Sequence, residues 1–242
     1  MRNSVAGEAS VNAQSESTVT ASNQGPVLRV REVVRRHRTG GGVGPLDLDL
    51  NRAKILGLVG PSGCGKSTLL RLIAGIEPVD HGRIEIDDRD VASLPPGRRS
   101  VGLVEQHLPL YEHLDVRGNV KMAVSGLAMS DEERESRIDS AIATAQAQSF
   151  IARRASTLSG GERARTSLAR LLARRPAVAL LDEPFSGLDR GLRENVREDT
   201  LRALTEAGVG ILLVSHDHAD LPPTSGVLEL TSDGLPVRPV SS

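Results

Sequence analysis

Ile55-Leu56-Gly57-Leu58-Val59-Gly60-Pro61-Ser62-Gly63-Cys64-Gly65-Lys66-Ser67-Thr68 is the stretch that decides the fold. Residues 55–59 form a short apolar run ending in glycine, the pattern of a strand buried on both faces. Gly60 to Ser67 then match G-x-x-x-x-G-K-[ST] in full, and Lys66 to Ala74 reads as a helix. Strand before and helix after is the context such a loop needs. Its glycines let successive backbone N–H groups turn inward around the β-phosphate of a nucleotide. The helix N-terminus adds its partial positive charge. Lys66 can reach the β- and γ-phosphates as a point charge, and Ser67 offers a hydroxyl to Mg²⁺. Gly60, Pro61, Ser62, Gly63, Cys64, Gly65, Lys66, Ser67 and Thr68 are thus candidate nucleotide-binding residues. Cys64 reads as a small space-filling residue, because no base stands at a motif position beside it. Only three lysines occur (Lys54, Lys66 and Lys121), and one of them falls here.

Outward from this loop, short apolar strands alternate with helices. Val27–Val34, Arg83–Ile86, Val101–Val104, Val178–Leu181 and Gly210–Val214 read as strands. Ser130 to about Gln148 reads as a helix opened by a Ser130/Glu133 capping box. Further helices run from near Gly160 to before Pro176, and from Arg190 to about Glu206. The alternation implies an α/β fold with a mainly parallel central sheet covered on both sides. Thr39-Gly40-Gly41-Gly42 reads as a flexible loop. Residues 1–25, rich in Ser, Asn, Gln and Thr, read as a disordered tail.

The 242 residues, 38% of them hydrophobic, suffice to bury a sizeable core. Thirty basic against 31 acidic side chains leave a net charge of −1. That argues against a nucleic-acid backbone as the main partner. No apolar run approaches the roughly 18 residues that span a bilayer, and no secretory signal is visible. One cysteine excludes an internal disulfide and fits a reducing compartment.

Val178-Ala179-Leu180-Leu181-Asp182-Glu183 places two carboxylates at the C-terminal end of a buried strand, the edge where open α/β sheets bind ligands. Asp182 can hold Mg²⁺, and Glu183 can polarise the water that attacks a γ-phosphate. Leu158-Ser159-Gly160-Gly161-Glu162 precedes a helix and starts 23 residues before Asp182, counting from Ser159. Ser159 is a natural N-cap with Glu162 three residues on, so exposed N–H groups make a second anion site.

That loop resembles the signature of ATP-binding cassette (ABC) ATPases. The remaining motifs follow in the family's order: Gln106 at the Q-loop, Ser186-Gly187-Leu188-Asp189 at the D-loop, and His216 at the switch histidine. The resemblance covers roughly residues 27–230. It implies a P-loop NTPase with a mainly parallel central sheet, an N-terminal antiparallel β part and a small inserted helical subdomain at about 107–160. The cassette would occupy residues 26–235, with a short tail at 236–242. It implies ATP and Mg²⁺ as cofactors, with Ser67, Gln106 and Asp182 around the metal. Glu183, His216, Lys66 and Gln106 would carry the chemistry, His216 by a hydrogen bond to the γ-phosphate or the attacking water. It also implies a head-to-tail homodimer in which Ser159, Gly160, Gly161 and Asp189 of one copy close on the nucleotide of the other.

Three places depart from the family's pattern, one of them Ala53-Lys54, which replaces the commoner Gly-Glu with no evident catalytic consequence. His37 stands where a tyrosine commonly stacks on adenine, and none of the three aromatics (Tyr111, Phe150, Phe185) lies upstream of the loop. Stacking contributes on the order of 1 kcal/mol, so weaker or less base-selective binding is expected. Glu105 stands where an aromatic is frequent.

A cassette without a membrane span must borrow its pathway. The resemblance therefore implies permease subunits, a substrate-binding protein and a peripheral position on the cytoplasmic face of the membrane. Leu108, Leu110 and Tyr111 are candidates to line the permease groove. The Leu181–Arg193 stretch resembles importers for thiamine, sulfate, molybdate or iron. The short segment after His216 is expected to set it apart from importers with a regulatory β-domain. The competing readings are a soluble cassette acting on nucleic acid or the ribosome, and a small P-loop kinase. The kinase leaves Ser159 to Glu162 and His216 unexplained.

Overall fold

The computed structural model describes residues 25–38, 40–105, 109–215 and 221–236. The elements are β1 (Leu28–Arg36), β2 (Gly42–Leu50), β3 (Ile55–Val59), α1 (Lys66–Ala74), β4 (His81–Ile86) and β5 (Arg89–Asp90), followed by β6 (Val101–Val104), α2 (Val116–Val124) and α3 (Asp131–Thr144). After these come α4 (Gly160–Arg174), β7 (Val178–Asp182), α5 (Arg190–Glu206), β8 (Gly210–Val214) and β9 (Gly226–Glu229).

Two sheets result. β2-β1-β4-β5 is antiparallel, and β6-β7-β8-β3-β9 is parallel. The α/β class with a parallel central sheet and an N-terminal antiparallel part is therefore as expected.

The central strands are apolar on both sides because both sides are covered. Val178 and Leu180 of β7, Leu212 and Val214 of β8, and Leu58 of β3 pack with α1 and the antiparallel sheet. Ala179, Leu181, Ile211, Leu213 and Val59 face the other way, onto α4 and α5. Leu58, Leu180 and Leu212 are fully buried, each worth about 2 kcal/mol in area removed from water. This sandwich fixes the C-terminal ends of β3 and β7, where the loop of residues 60–65 and Asp182 emerge.

Three local expectations are corrected. The helix from Ser130 ends at Thr144, four residues early. Gln146 takes a left-handed φ of 53°, and Ala147 N–H reaches Ile142 O at 2.9 Å while Gln146 N–H reaches Ala143 O at 2.9 Å. That is a Schellman stop built without glycine. At its start only half of the capping box forms: Ser130 Oγ accepts from Glu133 N–H at 3.1 Å. Gly42, placed in a flexible loop, opens β2 instead, pairing with Arg36 across the sheet.

Candidate functional site

Glycine is required where the backbone of the 60–65 loop turns back on its neighbours. Gly65 has φ 98°, and a Cβ there would lie 2.3 Å from Gly42 O. Gly60 has φ 150°, and its Cβ would lie 2.7 Å from Leu230 O. Gly65 is also the N-cap of α1, which has no side-chain cap, so the first N–H groups of the helix are left for an external acceptor.

Lys66 is 6% exposed. Its Nζ donates to Gly60 O at 2.7 Å and Pro61 O at 2.9 Å, and lies 3.9 Å from Cys64 Sγ. Cys64 is buried at 1% exposure. No carboxylate pairs with Lys66 among the described residues, so an anion entering the loop would meet an ammonium engaged by two carbonyls and the Cys64 sulfur. Ser67 Oγ donates to Asp182 Oδ2 at 2.6 Å, which joins the first turn of α1 to the end of β7.

Glu183 follows with φ 50°. Left-handed backbone at a non-glycine residue costs on the order of 1 kcal/mol and concentrates at functional sites. Its carbonyl accepts from Ser186 Oγ at 2.9 Å. Lys66, Ser67, Thr68, Asp182, Glu183, Ser62 and Gly63 line one depression of about 360 Å³, together with His37 and Gly40 to Gly42. His37 Nε2 stands 3.4 Å from Thr68 Oγ1.

The second site expected from the sequence lies elsewhere. Ser159 caps α4 with a complete capping box: its Oγ accepts from Glu162 N–H at 3.3 Å, and Glu162 Oε2 accepts from Ser159 N–H at 2.8 Å. The Ser159 N–H bond holds the Glu162 carboxyl below the usual range, with help from Arg153, whose Nη1 donates to Glu162 Oε1 at 2.7 Å. Ser159, Gly160 and Gly161 do not line the depression that holds Lys66. They abut the segment before α5 instead, where a Cβ on Gly161 would lie 3.1 Å from Gly187 O. Asp189 is the N-cap residue of α5, and its carbonyl accepts from Leu192 and Arg193 N–H groups.

A family profile described as "ABC transporter" matches residues 43–186. The chain belongs to the ABC transporter family. A spermidine/putrescine import ATP-binding protein of Marinobacter nauticus is 37% identical over 190 residues, covering 78% of this chain and 51% of that protein. An Fe(3+) ions import ATP-binding protein of Mesorhizobium japonicum is 40% identical over 194 residues, covering 78% and 53%. The chain thus spans about half the length of the curated relatives it matches. Among solved structures, a dimeric ATP-binding cassette in a post-hydrolysis state, bound to ADP and Pi, superposes with a TM-score of 0.78 at 26% identity, covering 87% of this chain and 97% of that one.

This ABC ATPase domain brings together the phosphate loop, Asp182, Glu183 and His37, and keeps Ser159, Gly160 and Gly161 apart from them. Gln106 and His216 lie outside the described residues, as does Leu108. Sequence reading missed Gly40 to Gly42 as pocket wall. The signal was the alternation Leu46, Asp47, Leu48, Asp49, Leu50, which marks a strand whose start must lie close by.

Proposed function

We propose that this ABC ATPase domain binds and hydrolyses ATP as half of a head-to-tail dimer, and that the dimer powers import of a solute through a separate membrane permease. The observation that carries this reading is the division of the site. A phosphate loop with Lys66, Ser67 and Asp182 shares one depression, while the capped N-terminus of α4 offers its N–H groups outside it. A second copy supplying Ser159, Gly160 and Gly161 would close the depression.

Mg²⁺ fits the donor set. Ser67 Oγ and Asp182 Oδ2 are 2.6 Å apart, both hard oxygen donors. No cluster of three or more His, Cys, Asp or Glu surrounds them among the described residues. Such a sparse protein set suits an ion that keeps waters and takes phosphate oxygens for the rest. The ion would neutralise charge on the β- and γ-phosphates. Ser67 and Asp182 would hold it, with Gln106 in the role that the resemblance implies.

In the reaction Lys66 neutralises charge developing on the γ-phosphate, and the loop N–H groups hold the β-phosphate. Glu183 accepts a proton from the water whose oxygen attacks phosphorus, while the bond to the β-phosphate oxygen breaks. Ser159, its lone pair already engaged by Glu162 N–H, keeps its own hydroxyl hydrogen to donate to the γ-phosphate of the partner's nucleotide. His216 would orient the same phosphate or water.

The permease would seat in a groove of about 510 Å³ lined by Ile76, Glu105, Tyr111, Met122, Arg170 and Arg174 among others. Tyr111 is exposed there, whereas Leu110 is buried in the core. The helical subdomain at about 107–160 would form one side of that groove. No helix among the described residues is long and apolar enough to cross a membrane, consistent with a peripheral place on the cytoplasmic face, served by a substrate-binding protein. The relatives' names span polyamines, glycerol phosphate and iron, so the cargo is left to the permease and binding protein. The test is Glu183→Gln: ATP binding should persist while turnover stops and an ATP-dependent dimer accumulates in size-exclusion chromatography. Undiminished hydrolysis would remove Glu183 as the base.

A further inference from the structure

The start of α1, Lys66 to Thr68, lines the nucleotide depression, and the turn that follows α1 reaches the groove. Ile76 lines the groove. The next residue, Glu77, turns the other way, with its Oε2 3.8 Å from His37 Nε2. The same oxygen lies 3.8 Å from Arg35 Nε. Oε2 is buried and makes no hydrogen bond, and Arg35 Nε is buried and unbonded too. An orphaned carboxylate oxygen thus stands between two cationic or potentially cationic donors, equally far from both and slightly too far to bond either. A shift of well under 1 Å would close one contact at the expense of the other.

The other oxygen of Glu77 leads towards the groove. Arg71 Nη1 is 3.9 Å from Glu77 Oε1, and Arg71 Nε donates to Glu105 Oε1 at 2.8 Å. That hydrogen bond holds the Arg71 guanidinium above its ordinary value, against partial burial. Glu105 itself lines the groove. A continuous line of charged side chains therefore runs from the groove wall, Glu105, through Arg71 and Glu77, to His37 on the nucleotide depression.

We propose that Arg71 and Glu77 are positioning residues that set His37 against Thr68, and that Glu105 transmits the state of the groove to the base side of the nucleotide pocket through them. The device rests on the reading of that depression as the nucleotide site. A ligand that draws Glu105 away frees Arg71 to engage Glu77, which withdraws the carboxylate from His37. Coupling of this kind is reciprocal, so nucleotide held by His37 also biases the groove. The pairs are part-exposed, with Arg71 45% accessible, so each link is worth only about a two- to fivefold change in affinity.

The test measures equilibrium binding of ATP and of inorganic tripolyphosphate, which has the phosphates without the base, to the full chain. Arg71→Ala and the isosteric Glu105→Gln should each shift the Kd for ATP about two- to fivefold and leave that for tripolyphosphate unchanged. Arg71→Lys should recover part of the shift. Glu105→Gln combined with His37→Ala should bind ATP no differently from His37→Ala alone, because the line then ends on nothing. Equal shifts for both probes would mean damage to the phosphate loop and would overturn the proposal. So would no shift in either, or effects of Glu105→Gln and His37→Ala that simply add. If Arg71→Ala lowers stability, Glu105→Gln decides the matter in its place. A wild-type chain that binds neither probe would instead sink the nucleotide reading itself.

Discussion

At the residue scale the site is a matter of which polar group meets which. Lys66 engages two carbonyls and no carboxylate, so its charge is available to an anion. Lys66→Ala should abolish measurable ATP binding by equilibrium titration while leaving the far-UV circular dichroism spectrum intact. Glu162 has a pH-dependent part. Its carboxyl is held below the usual range in the folded chain by the Ser159 N–H first, and by Arg153 after burial is offset. A depressed folded value stabilises above the ordinary glutamate pKa of about 4.3 and is lost as pH falls through the folded value. Glu162→Gln keeps an acceptor for Ser159 N–H without a titrating group. Its thermal midpoint should therefore fall less steeply than wild type between pH 5 and pH 3, about the ordinary glutamate pKa, as followed by circular dichroism. Glu162→Ala keeps the Ser159 Oγ cap on the backbone N–H of residue 162 but loses the reciprocal bond to Ser159 N–H, and should cost about 1 kcal/mol at neutral pH.

At the element scale α1 is held at both ends. Its start is the phosphate loop, and its end is tied by Arg99, a guanidinium only 4% exposed. Arg99 donates to Leu72 O at 2.8 Å, Ile73 O at 3.2 Å, Leu94 O at 2.7 Å and Ala92 O at 2.8 Å. It thereby satisfies the last carbonyls of α1 and pins the chain that leads into β6. Arg99→Met keeps the bulk but removes these donors, leaving Leu72 O with only the Gly75 N–H, and should destabilise by about 2–4 kcal/mol in urea unfolding. Gly75, at φ 78°, leaves room for this side chain, since a Cβ there would lie 2.3 Å from Arg99 Nε. Legibility differed from element to element for physical reasons. β3, α1, α5 and β8 were readable to the residue because their apolar runs and stops are local. α2 was not. Val116, Val120 and Val124 are β-branched, and Gly118 lies inside the helix, so intrinsic propensity points away from it. Packing of the three valines at fourfold spacing against α4 overrides that. The phosphate loop and Asp182 were legible as motifs. The line from Glu105 to His37 was not, because it joins residues up to 68 positions apart along the chain.

At the scale of the whole molecule, each chain presents the phosphate loop and the α4 cap on separate surfaces. A two-fold dimer would repeat that exchange on both sides. Mixing Lys66→Ala chains with Ser159→Ala chains should therefore restore hydrolysis that neither shows alone. Random pairing makes half the dimers mixed, with one intact site each, so recovery should reach about a quarter of wild type. Phosphate release from the 1:1 mixture checks it, and no recovery would argue against sites shared between chains. The strand that delivers the two carboxylates imposes one more condition. Successive residues of an extended strand point to opposite sides, so Asp182 shares the side of Val178 and Leu180, and its neighbour would ordinarily be cast to the far layer. The left-handed turn at Glu183 cancels that parity and lets consecutive acids serve one cavity. The proposed metal ligand and proton acceptor would thus be set one peptide apart by a backbone angle, and a one-residue insertion within β7 would misdirect both at once.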